Sequence, residues 1–300
     1  MLMNRRQAIK QLAALAVAAP ISHPLLRAAS HATSWLELAV QQYSFNPQLK
    51  AGTLDLLDYP KTVVEGTGIR VLEYFNGHME DKAGKNKYFR DLRKRTDDLG
   101  ATNTMILCRS KPALDSPDPA IRATAIEGYR PWLEAMNILG GQCIRVDVRS
   151  PGNANKQKQY AIEGLRSLCN VAEKEFDGLS IVVENHGNHS GNGKWVADVM
   201  KAVDLEHCGT LPDFQNFQDY DPYLGVKEMM PWAKIVCAKS KDFDAEGNET
   251  NVDFRRMLKI VKDSGFRGYI GIEFEGHGMD PVVGINATKH LIQKVMAELG

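Results

Sequence analysis

Short apolar segments alternate with longer amphipathic segments along most of the chain, and this alternation constrains the fold more than any other feature. The clearest apolar segment, Ile181–Val183, is followed at once by Glu184, Asn185 and His186, which is typical of a buried strand that ends at a polar site. Seven further segments have a similar character. We predict strands over Trp35–Ser44, Ile69–Phe75, Thr104–Cys108, Cys143–Val148, Ile181–Gly187, Cys208–Asp213, Trp232–Lys239 and Gly268–Glu273.

Helix-type segments separate these strands, and they decide how the strands are connected. We predict helices over Leu54–Glu65, Tyr88–Leu99, Pro119–Leu139, Tyr160–Phe176, Trp195–Val203, Tyr223–Met230, Val252–Ser264 and Pro281–Leu299. A strand–helix–strand order implies a parallel sheet with right-handed crossovers. Eight such units in roughly 265 residues match an α/β fold of the (β/α)8 TIM barrel type, and this count favours the barrel over an open doubly wound sheet. We expect Pro60 to kink the first helix and residues 150–156 to form a polar loop.

The first 32 residues have the layout of a cleavable export signal. The pair Arg5-Arg6 precedes an apolar run over residues 12–21, and the small-residue segment Ala28–Ala32 follows. The paired arginines indicate a bacterial twin-arginine signal, although Ala8 stands where that signal usually has a larger apolar residue. An ordinary amphipathic helix is the alternative. We therefore predict a signal peptide over residues 1–32, a single barrel domain over residues 33–300, and a periplasmic or otherwise exported protein.

The composition argues against several classes of partner and cofactor. Lysine plus arginine and aspartate plus glutamate each number 37, and no long basic run occurs, which argues against nucleic-acid binding. The sequence has no G-x-G-x-x-G and no G-x-x-x-x-G-K segment, so a nucleotide cofactor is not predicted. No apolar run after the signal is long enough to span a membrane. The five cysteines are scattered without a C-x-x-C pair, so we expect mostly buried, free thiols.

Acidic residues follow three of the predicted strands. Glu184 ends the fifth strand, Asp213 the sixth and Glu273 the eighth. In a barrel, side chains at the carboxyl ends of the strands share one pocket, so the three carboxylates repel one another unless a cation or protons neutralise them. A divalent metal does this most simply: oxygen ligands favour Mg²⁺ or Mn²⁺, and an added imidazole shifts the preference toward Mn²⁺, Co²⁺ or Zn²⁺. The alternative for each acid is a loop carboxylate that caps the next helix.

These strand ends resemble those of the sugar phosphate isomerase/epimerase family, whose members have a xylose isomerase-like TIM barrel. The resemblance covers the chain after the signal and is most specific from Ile181 to Gly276. It implies a metal held by Glu, Asp, His and Glu from strands five to eight. Glu184, Asp213 and Glu273 match the three carboxylates of that ligand set.

The histidine of the ligand set is where this sequence departs from the family. Strand seven of the family commonly ends in His-x-Lys-Asp, whereas this chain has Cys237-Ala238-Lys239-Ser240. Cys237 therefore stands in the histidine position, either as a thiolate ligand for a softer ion such as Zn²⁺ or as a small buried thiol. Asn216 likewise stands where some sugar epimerases of the family have a histidine. The metal is then held by fewer protein ligands, borrows His186, or is absent.

Other polar side chains near the strand ends are candidates for proton transfer and substrate binding. His186 is a candidate acid/base or metal ligand, because imidazole titrates near neutral pH, or else a loop residue packed on Trp195. Lys239 places a cation in the pocket, where it binds a substrate oxygen, stabilises an enolate or pairs with a carboxylate. The predicted substrate-binding residues are Glu73, Arg145, Trp195 and Asn216.

The resemblance implies chemistry at a carbon next to a carbonyl group of a small carbohydrate. In the family's epimerases, two metal-bound glutamates move the proton through an enediolate, and these map to Glu184 and Glu273, with Asp213 as a ligand and Lys239 and His186 as helpers. We therefore predict an exported, metal-dependent sugar isomerase or epimerase. The alternatives are a lyase or hydratase acting on 3-keto sugars or glycosides, and a sugar-binding barrel without catalysis. The sugar, the stereocentre and a homo-oligomeric state stay open.

Overall fold

The computed structural model describes residues 34–109 and 112–300 of the chain. Within this part, Trp35–Gly300 form one compact unit. The predicted signal peptide, residues 1–32, lies outside the described residues. Among the residues that the structure describes, no helix is both long and apolar enough to cross a membrane.

Eight parallel strands form the centre of this unit. They are β1 (Leu36–Gln41), β2 (Val71–Phe75), β3 (Thr102–Leu107), β4 (Cys143–Val146), β5 (Ser180–Glu184), β6 (Cys208–Leu211), β7 (Val236–Ser240) and β8 (Gly268–Phe274). The hydrogen-bonded order is β6-β5-β4-β3-β2-β1-β8-β7. Two bridges, Thr210 to Ala233 and Asp213 to Cys237, bring the β6 and β7 edges of the sheet together. The prediction of a (β/α)8 barrel is confirmed, and the barrel is nearly closed.

Helices follow the strands and cover the outside of the barrel. They are α1 (Asn46–Ala51), α2 (Tyr59–Thr67), α3 (Asn86–Asp98), α4 (Pro119–Leu139), α5 (Ala154–Glu175), α6 (Gly193–Val203), α7 (Pro222–Met229), α8 (Phe254–Asp263) and α9 (Pro281–Leu299). From α4 onward, an Asp or Asn side chain accepts free amide hydrogens of each first turn. Asp118 and Asp280 do so for α4 and α9, with proline next in the chain. These strong start signals explain why the predicted bounds of both helices are confirmed.

Several predicted bounds differ from the structure, and two of these errors concern the region where a helix begins. Pro60 does not kink a helix but lies in the first turn of α2, where the missing amide hydrogen of proline costs no hydrogen bond. The predicted polar loop over residues 150–156 ends early, because the side chain of Asn153 accepts hydrogen bonds from two following amides. Helix α5 therefore begins at Ala154 rather than at the predicted Tyr160.

The period of two along each strand separates two apolar cores. Side chains that point outward, such as Val40, Ile144 and Ile272, pack against the helices in the larger core. Side chains that point inward form a smaller core inside the barrel, with members Phe75, Met105, Leu107, Cys143, Val182, Leu211, Ile235 and Cys237. Toward the carboxyl ends of the strands, the inward positions change from apolar to charged, and this change locates the candidate site.

Candidate active site

Charged side chains from five neighbouring strands meet at the carboxyl end of the barrel, and we call this set the charged cluster. It consists of Arg145 on β4, Glu184 on β5, Asp213 just after β6, Lys239 on β7 and Glu273 on β8. Each residue is at most 4% exposed. The state of each charge therefore depends on its protein neighbours rather than on water.

Lys239 is the centre of one half of the charged cluster. Its Nζ lies 3.0 Å from Glu273 Oε2, 3.5 Å from Glu275 Oε1 and 3.7 Å from Asp213 Oδ2. It also donates a hydrogen bond of 3.0 Å to Asn216 Oδ1. Burial by itself lowers the pKa of Lys239, but the surrounding carboxylates raise it well above its ordinary value, so the amine stays protonated. One ammonium group thus serves three carboxylates.

The excess of acid around Lys239 raises the pKa values of two carboxyl groups. Burial raises the pKa of Glu273 to about 7, with Lys239 acting to lower it and Glu275 acting to raise it. Burial also raises the pKa of Asp213 to about 6, although Lys239 again acts in the opposite direction. This half of the cluster therefore contains a carboxyl group that takes up and releases a proton near neutral pH.

Arg145 is the centre of the other half of the charged cluster. Its Nη2 lies 2.5 Å from Glu184 Oε2, and its Nη1 lies 2.8 Å from Asp147 Oδ1. The side chain of Asn216 donates a hydrogen bond of 2.7 Å to the other oxygen of Glu184. Burial by itself raises the pKa of Glu184, but Arg145 and Lys239 outweigh burial and lower it. Glu184 is therefore a fixed carboxylate whose two oxygens already have partners.

Asn216 connects the two halves of the charged cluster. Its amide nitrogen donates to Glu184, and its amide oxygen accepts from Lys239. Asp213 holds Asn216 in place, because its Oδ1 accepts the backbone N–H of Asn216 at 3.0 Å. The side chain of Asn185 fixes Asp213 in turn, through hydrogen bonds to its backbone N–H at 2.7 Å and its backbone carbonyl at 3.0 Å. The predicted substrate-binding residue Asn216 is thus a bridge within the cluster.

His186 lies beside the Arg145 half, just before a sharp turn that follows β5. Gly187 has a φ of 76°, which favours glycine and turns the chain at this point. His186 Nδ1 lies 2.9 Å from Arg149 Nη1. Because arginine can only donate, Nδ1 is the acceptor and the ring proton is on Nε2. Burial lowers the pKa of His186, which favours the neutral ring, whose Nε2–H can donate a hydrogen bond.

The donors that could hold a divalent metal differ from the predicted set. Among the described residues, Asp213, Cys237 and Glu273 each offer an atom within 4.8 Å of the others, and Glu184 lies outside this group. Burial raises the pKa of Cys237 well above its ordinary value, so its sulfur is a thiol, 3.7 Å from a Glu273 oxygen. A thiol is a poor ligand for Mg²⁺ or Mn²⁺, and the ammonium of Lys239 already lies among the same acids. These residues include two of the three predicted ligands, Asp213 and Glu273, but they do not fit the predicted Mg²⁺ or Mn²⁺ centre.

Two predicted substrate-binding residues, Glu73 and Trp195, are packed into the interior instead. Glu73 is fully buried inside the barrel, and a Cβ at Gly271 would lie 2.5 Å from its carboxyl oxygen, so that glycine makes room for it. Burial raises the pKa of Glu73 well above its ordinary value. The indole N–H of Trp195 donates to a backbone carbonyl at the start of α5, and its ring stacks on His189 rather than on His186. Both side chains are therefore buried rather than exposed in the pocket.

Three neighbours of the charged cluster were not predicted. Glu275 lies two positions after Glu273, and Arg149 lies two positions after Asp147. Because strand side chains alternate between the two faces, this spacing could have predicted that both point toward the site. Glu249 had no such signal, because it lies on the loop between β7 and α8. Its carboxylate accepts a hydrogen bond from the side chain of Gln215, which lies on the loop after β6. It also accepts hydrogen bonds from three backbone amides of its own loop.

Two of the cavities next to the charged cluster border His186 and Glu275, respectively. One, of about 420 Å³, is lined by residues that include Arg149, His186, Asn216 and Phe217. The other, of about 530 Å³, is lined by residues that include Tyr43, Lys241, Glu275 and His277. Both volumes lie in the range of small-molecule sites, so the cluster has room beside it for a ligand such as a sugar.

The chain is similar to a protein family over most of its length and to one further protein over a short segment. Residues 63–296 match the model of a family described as xylose isomerase-like TIM barrel. A segment of 77 residues is 31% identical to the C-glycoside deglycosidase alpha subunit of Arthrobacter globiformis. This second match covers 24% of the chain and 22% of that subunit, so most of the length of the relative is unmatched.

Solved structures with the same fold include sugar enzymes. The apo 3-keto-D-glucoside 4-epimerase of E. coli has a TM-score of 0.68 at 15% identity, over 86% of this chain and 99% of that one. The IOLI protein with a zinc atom has a TM-score of 0.70 at 14% identity, over 88% and 99%. At these identities the likeness shows the fold alone, whereas the family match spans most of the chain. The chain therefore belongs to the xylose isomerase-like TIM barrel family.

Proposed function

We propose that this protein is a sugar-modifying enzyme that removes a proton from the carbon next to a carbonyl group. The observation that carries this proposal is the carboxyl group of Glu273, which is buried beside the ammonium of Lys239 and has a pKa raised to about 7. A general base works best when its pKa lies near the working pH. The epimerase and the deglycosidase subunit among the similar proteins support a carbohydrate substrate.

The proposed step moves one proton and one electron pair. The carboxylate of Glu273 takes the α-proton, the C–H electrons form a carbon–carbon double bond, and the carbonyl oxygen becomes an enediolate oxygen. The ammonium of Lys239 stabilises this oxygen, and the Nε2–H of His186 donates to a second substrate oxygen from the neighbouring cavity. Glu273 then returns the proton to the adjacent carbon while the hydroxyl proton passes between the two oxygens, which completes an isomerisation without another reactant.

The different states of Glu273 and Glu184 favour isomerisation over epimerisation. Epimerisation requires a second acid on the opposite face of the enediolate, and Glu184 was predicted for that role. Its pKa is lowered, and its two oxygens already contact Arg145 and Asn216, so it has no proton to give. One base that removes and returns the proton is sufficient for isomerisation.

A lyase that acts on 3-keto glycosides is the second candidate, and the match to a C-glycoside deglycosidase subunit favours it. Its first step is the same proton abstraction by Glu273. The electron pair of the enediolate then expels the substituent on the β-carbon, and the protonated Glu273 returns its proton to the leaving group. The two candidates are separated by their products, because an isomer keeps the mass of the substrate and an elimination divides it.

Export is a further part of the proposal and rests on the signal-type sequence of residues 1–32. A neutral sugar or keto sugar suits an exported enzyme better than a sugar phosphate, because sugar phosphates are cytoplasmic metabolites. The absence of a recognisable phosphate-binding segment in the sequence agrees with this choice of substrate.

Exchange of substrate hydrogen with solvent deuterium tests the proposal on the purified protein. Incubation in D₂O with aldoses, ketoses and 3-keto glucosides is expected to place one deuterium next to the carbonyl of at least one of them, as read by NMR and mass spectrometry. The control variant Glu37→Gln changes an exposed acid near the amino end of β1, at the end of the barrel opposite the charged cluster. It should exchange at the normal rate. Sugar binding without exchange in any compound would instead favour a non-catalytic sugar-binding barrel.

A further inference from the structure

Lys239 occupies the kind of position that a metal ion often holds between acids. Four oxygens lie 3.0 to 3.7 Å from its Nζ, and they belong to Asp213, Asn216, Glu273 and Glu275. The side chain is 3% exposed, so these oxygens rather than water surround the charge. An ammonium group held by four oxygen neighbours from the ends of β6 and β8 has the surroundings of a small bound cation.

The remaining groups of the site are arranged so that a divalent ion would lack ligands. Both oxygens of Glu184 have other partners, Arg145 and the amide of Asn216. Cys237, in the place of the family histidine, is a thiol beside Glu273, and a metal would have to displace its proton. A divalent ion bound to the other acids would also lie within a few ångströms of Lys239 and would be repelled by it.

We propose that the ammonium of Lys239 replaces the divalent ion at this site. In the free protein it offsets part of the negative charge of the acids, and in the reaction it binds the carbonyl oxygen of the substrate. The catalytic half of this inference rests on the proposed function, whereas the charge-replacement half does not.

A change of partner explains how one ammonium group can serve both purposes. Before the step, the ammonium of Lys239 pairs with the carboxylate of Glu273. Once Glu273 has taken the α-proton it is neutral, and the negative charge has moved to the substrate oxygen. Lys239 then pairs with that oxygen, so the net charge of the cluster and the substrate together does not change during the step. Little reorganisation is needed, which is the condition under which buried charges stabilise a transition state well.

Metal titration of the full-length protein, after dialysis against EDTA, tests the inference. We expect wild-type protein to bind Mn²⁺ and Co²⁺ at this site more weakly than about 1 mM and to keep its deuterium-exchange activity without added metal. Lys239→Met removes the charge and keeps a chain of similar length. It should bind Mn²⁺ at least about tenfold more tightly than wild type, because the repulsion is gone, and should lose exchange. Lys227→Met, a change at an exposed lysine on α7, should alter neither property.

Stoichiometric Mn²⁺ or Co²⁺ in the wild-type protein, together with loss of exchange after EDTA, would overturn the inference. A cobalt–thiolate absorption band that disappears in Cys237→Ser would place that ion in the site. If Lys239→Met does not fold, as judged by circular dichroism, the wild-type titration decides by itself. If wild type exchanges no sugar, the proposed function fails, and the titrations still decide whether Lys239 excludes the metal.

Discussion

Glu273 and Glu184 stand in the same pocket with the same side chain and the same 4% exposure, yet their pKa values shift in opposite directions. Burial acts on both in the same sense and raises the pKa of each. The difference therefore comes from the cations, because Arg145 is 2.5 Å from Glu184, whereas Glu273 shares Lys239 with two other acids.

The ratio of acids to bases in each half explains this difference. In the Arg145 half, the carboxylates of Glu184 and Asp147 face the guanidinium groups of Arg145 and Arg149. In the Lys239 half, three carboxylates face one ammonium group. A balanced set holds its charges permanently, and an unbalanced set recruits a proton near neutral pH. The Arg145 half therefore stays charged, whereas the Lys239 half can exchange protons.

The largest expected effect is on catalytic activity, and it should differ between variants of Glu273 and Glu184. Glu273→Gln should lower the rate of deuterium exchange about 10³-fold, because the base is removed. Glu184→Gln should lower it by about tenfold or less, because Glu184 only positions Arg145 and Asn216. Exchange rates at saturating substrate, with thermal unfolding to confirm folding, provide the measurement. Equal losses in the two variants would mean that both glutamates move protons, as an epimerase requires.

Removal of Arg145 tests the balanced half through its effect on the stability of the protein. Arg145→Met should destabilise the protein by about 3–5 kcal/mol, because Glu184 and Asp147 lose the partner of their buried charges. The matched control is Arg255→Met, which breaks an ion pair with Glu298 at the surface and should cost less than about 1 kcal/mol. Urea unfolding of both variants checks the pair. Similar losses would show that the buried pair contributes no more than a surface contact.

The pH dependence tests the unbalanced half. Activity should rise with pH with a midpoint near the pKa of Glu273, about 7, because the carboxylate is the active form. Glu275→Gln removes a neighbouring negative charge and should move the midpoint to lower pH. Rate profiles from pH 5 to 9 measure both midpoints. A midpoint that does not move in Glu275→Gln would contradict the charge-sharing explanation.

The same pKa shift has a consequence for stability. Between the ordinary pKa of Glu273, 4.5, and its raised value of about 7, the folded protein binds more protons than the unfolded chain. The contribution of Glu273 to the free energy of unfolding therefore falls as the pH rises through this range. Glu273→Gln should remove this part of the pH dependence in urea unfolding experiments.

The smallest expected effect concerns the tautomer of His186. The ring should remain neutral at pH 6 with its proton on Nε2, because Arg149 donates to Nδ1 and burial lowers the pKa. Nitrogen-15 NMR of labelled histidine reads both properties directly. Arg149→Leu removes a nearby positive charge, so it should raise the pKa of His186 and release the tautomer. A protonated His186 in the wild type at pH 6 would contradict the assigned role as a neutral donor.

Much of the fold could be predicted from the sequence because its signals are local. Asp118-Pro119 and Asp280-Pro281 start helices through contacts within one turn, and both helices were predicted with the observed bounds. The start of β7 was predicted at Trp232, but the strand begins at Val236. Met230–Trp232 form a short 3₁₀ turn around Pro231, which an apolar run of letters does not reveal.

The residues of the site were partly predictable for the same reason. Acids that directly follow apolar runs, such as Glu184 and Asp213, show where strands end, and the barrel then brings those ends together. Trp195 shows the limit of this reasoning, since it is near the site in sequence but its ring packs between the helices and loops. On the strands, the period of two predicts the face on which a side chain lies. The loops have no such period, so the direction of their side chains could not be predicted.

The sequence by itself determined eight strand–helix units, and with them a barrel whose carboxyl end collects acids from β5, β6 and β8. Only the tertiary structure decided which cation serves which acid. Arg145, Glu184, Lys239 and Glu273 lie on four different strands, and each pair depends on the register of two neighbouring strands, β4 with β5 and β7 with β8. The physical reason is that secondary structure follows from interactions over a few residues, whereas the charge of a buried carboxyl follows from every cation within a few ångströms, however distant in the chain.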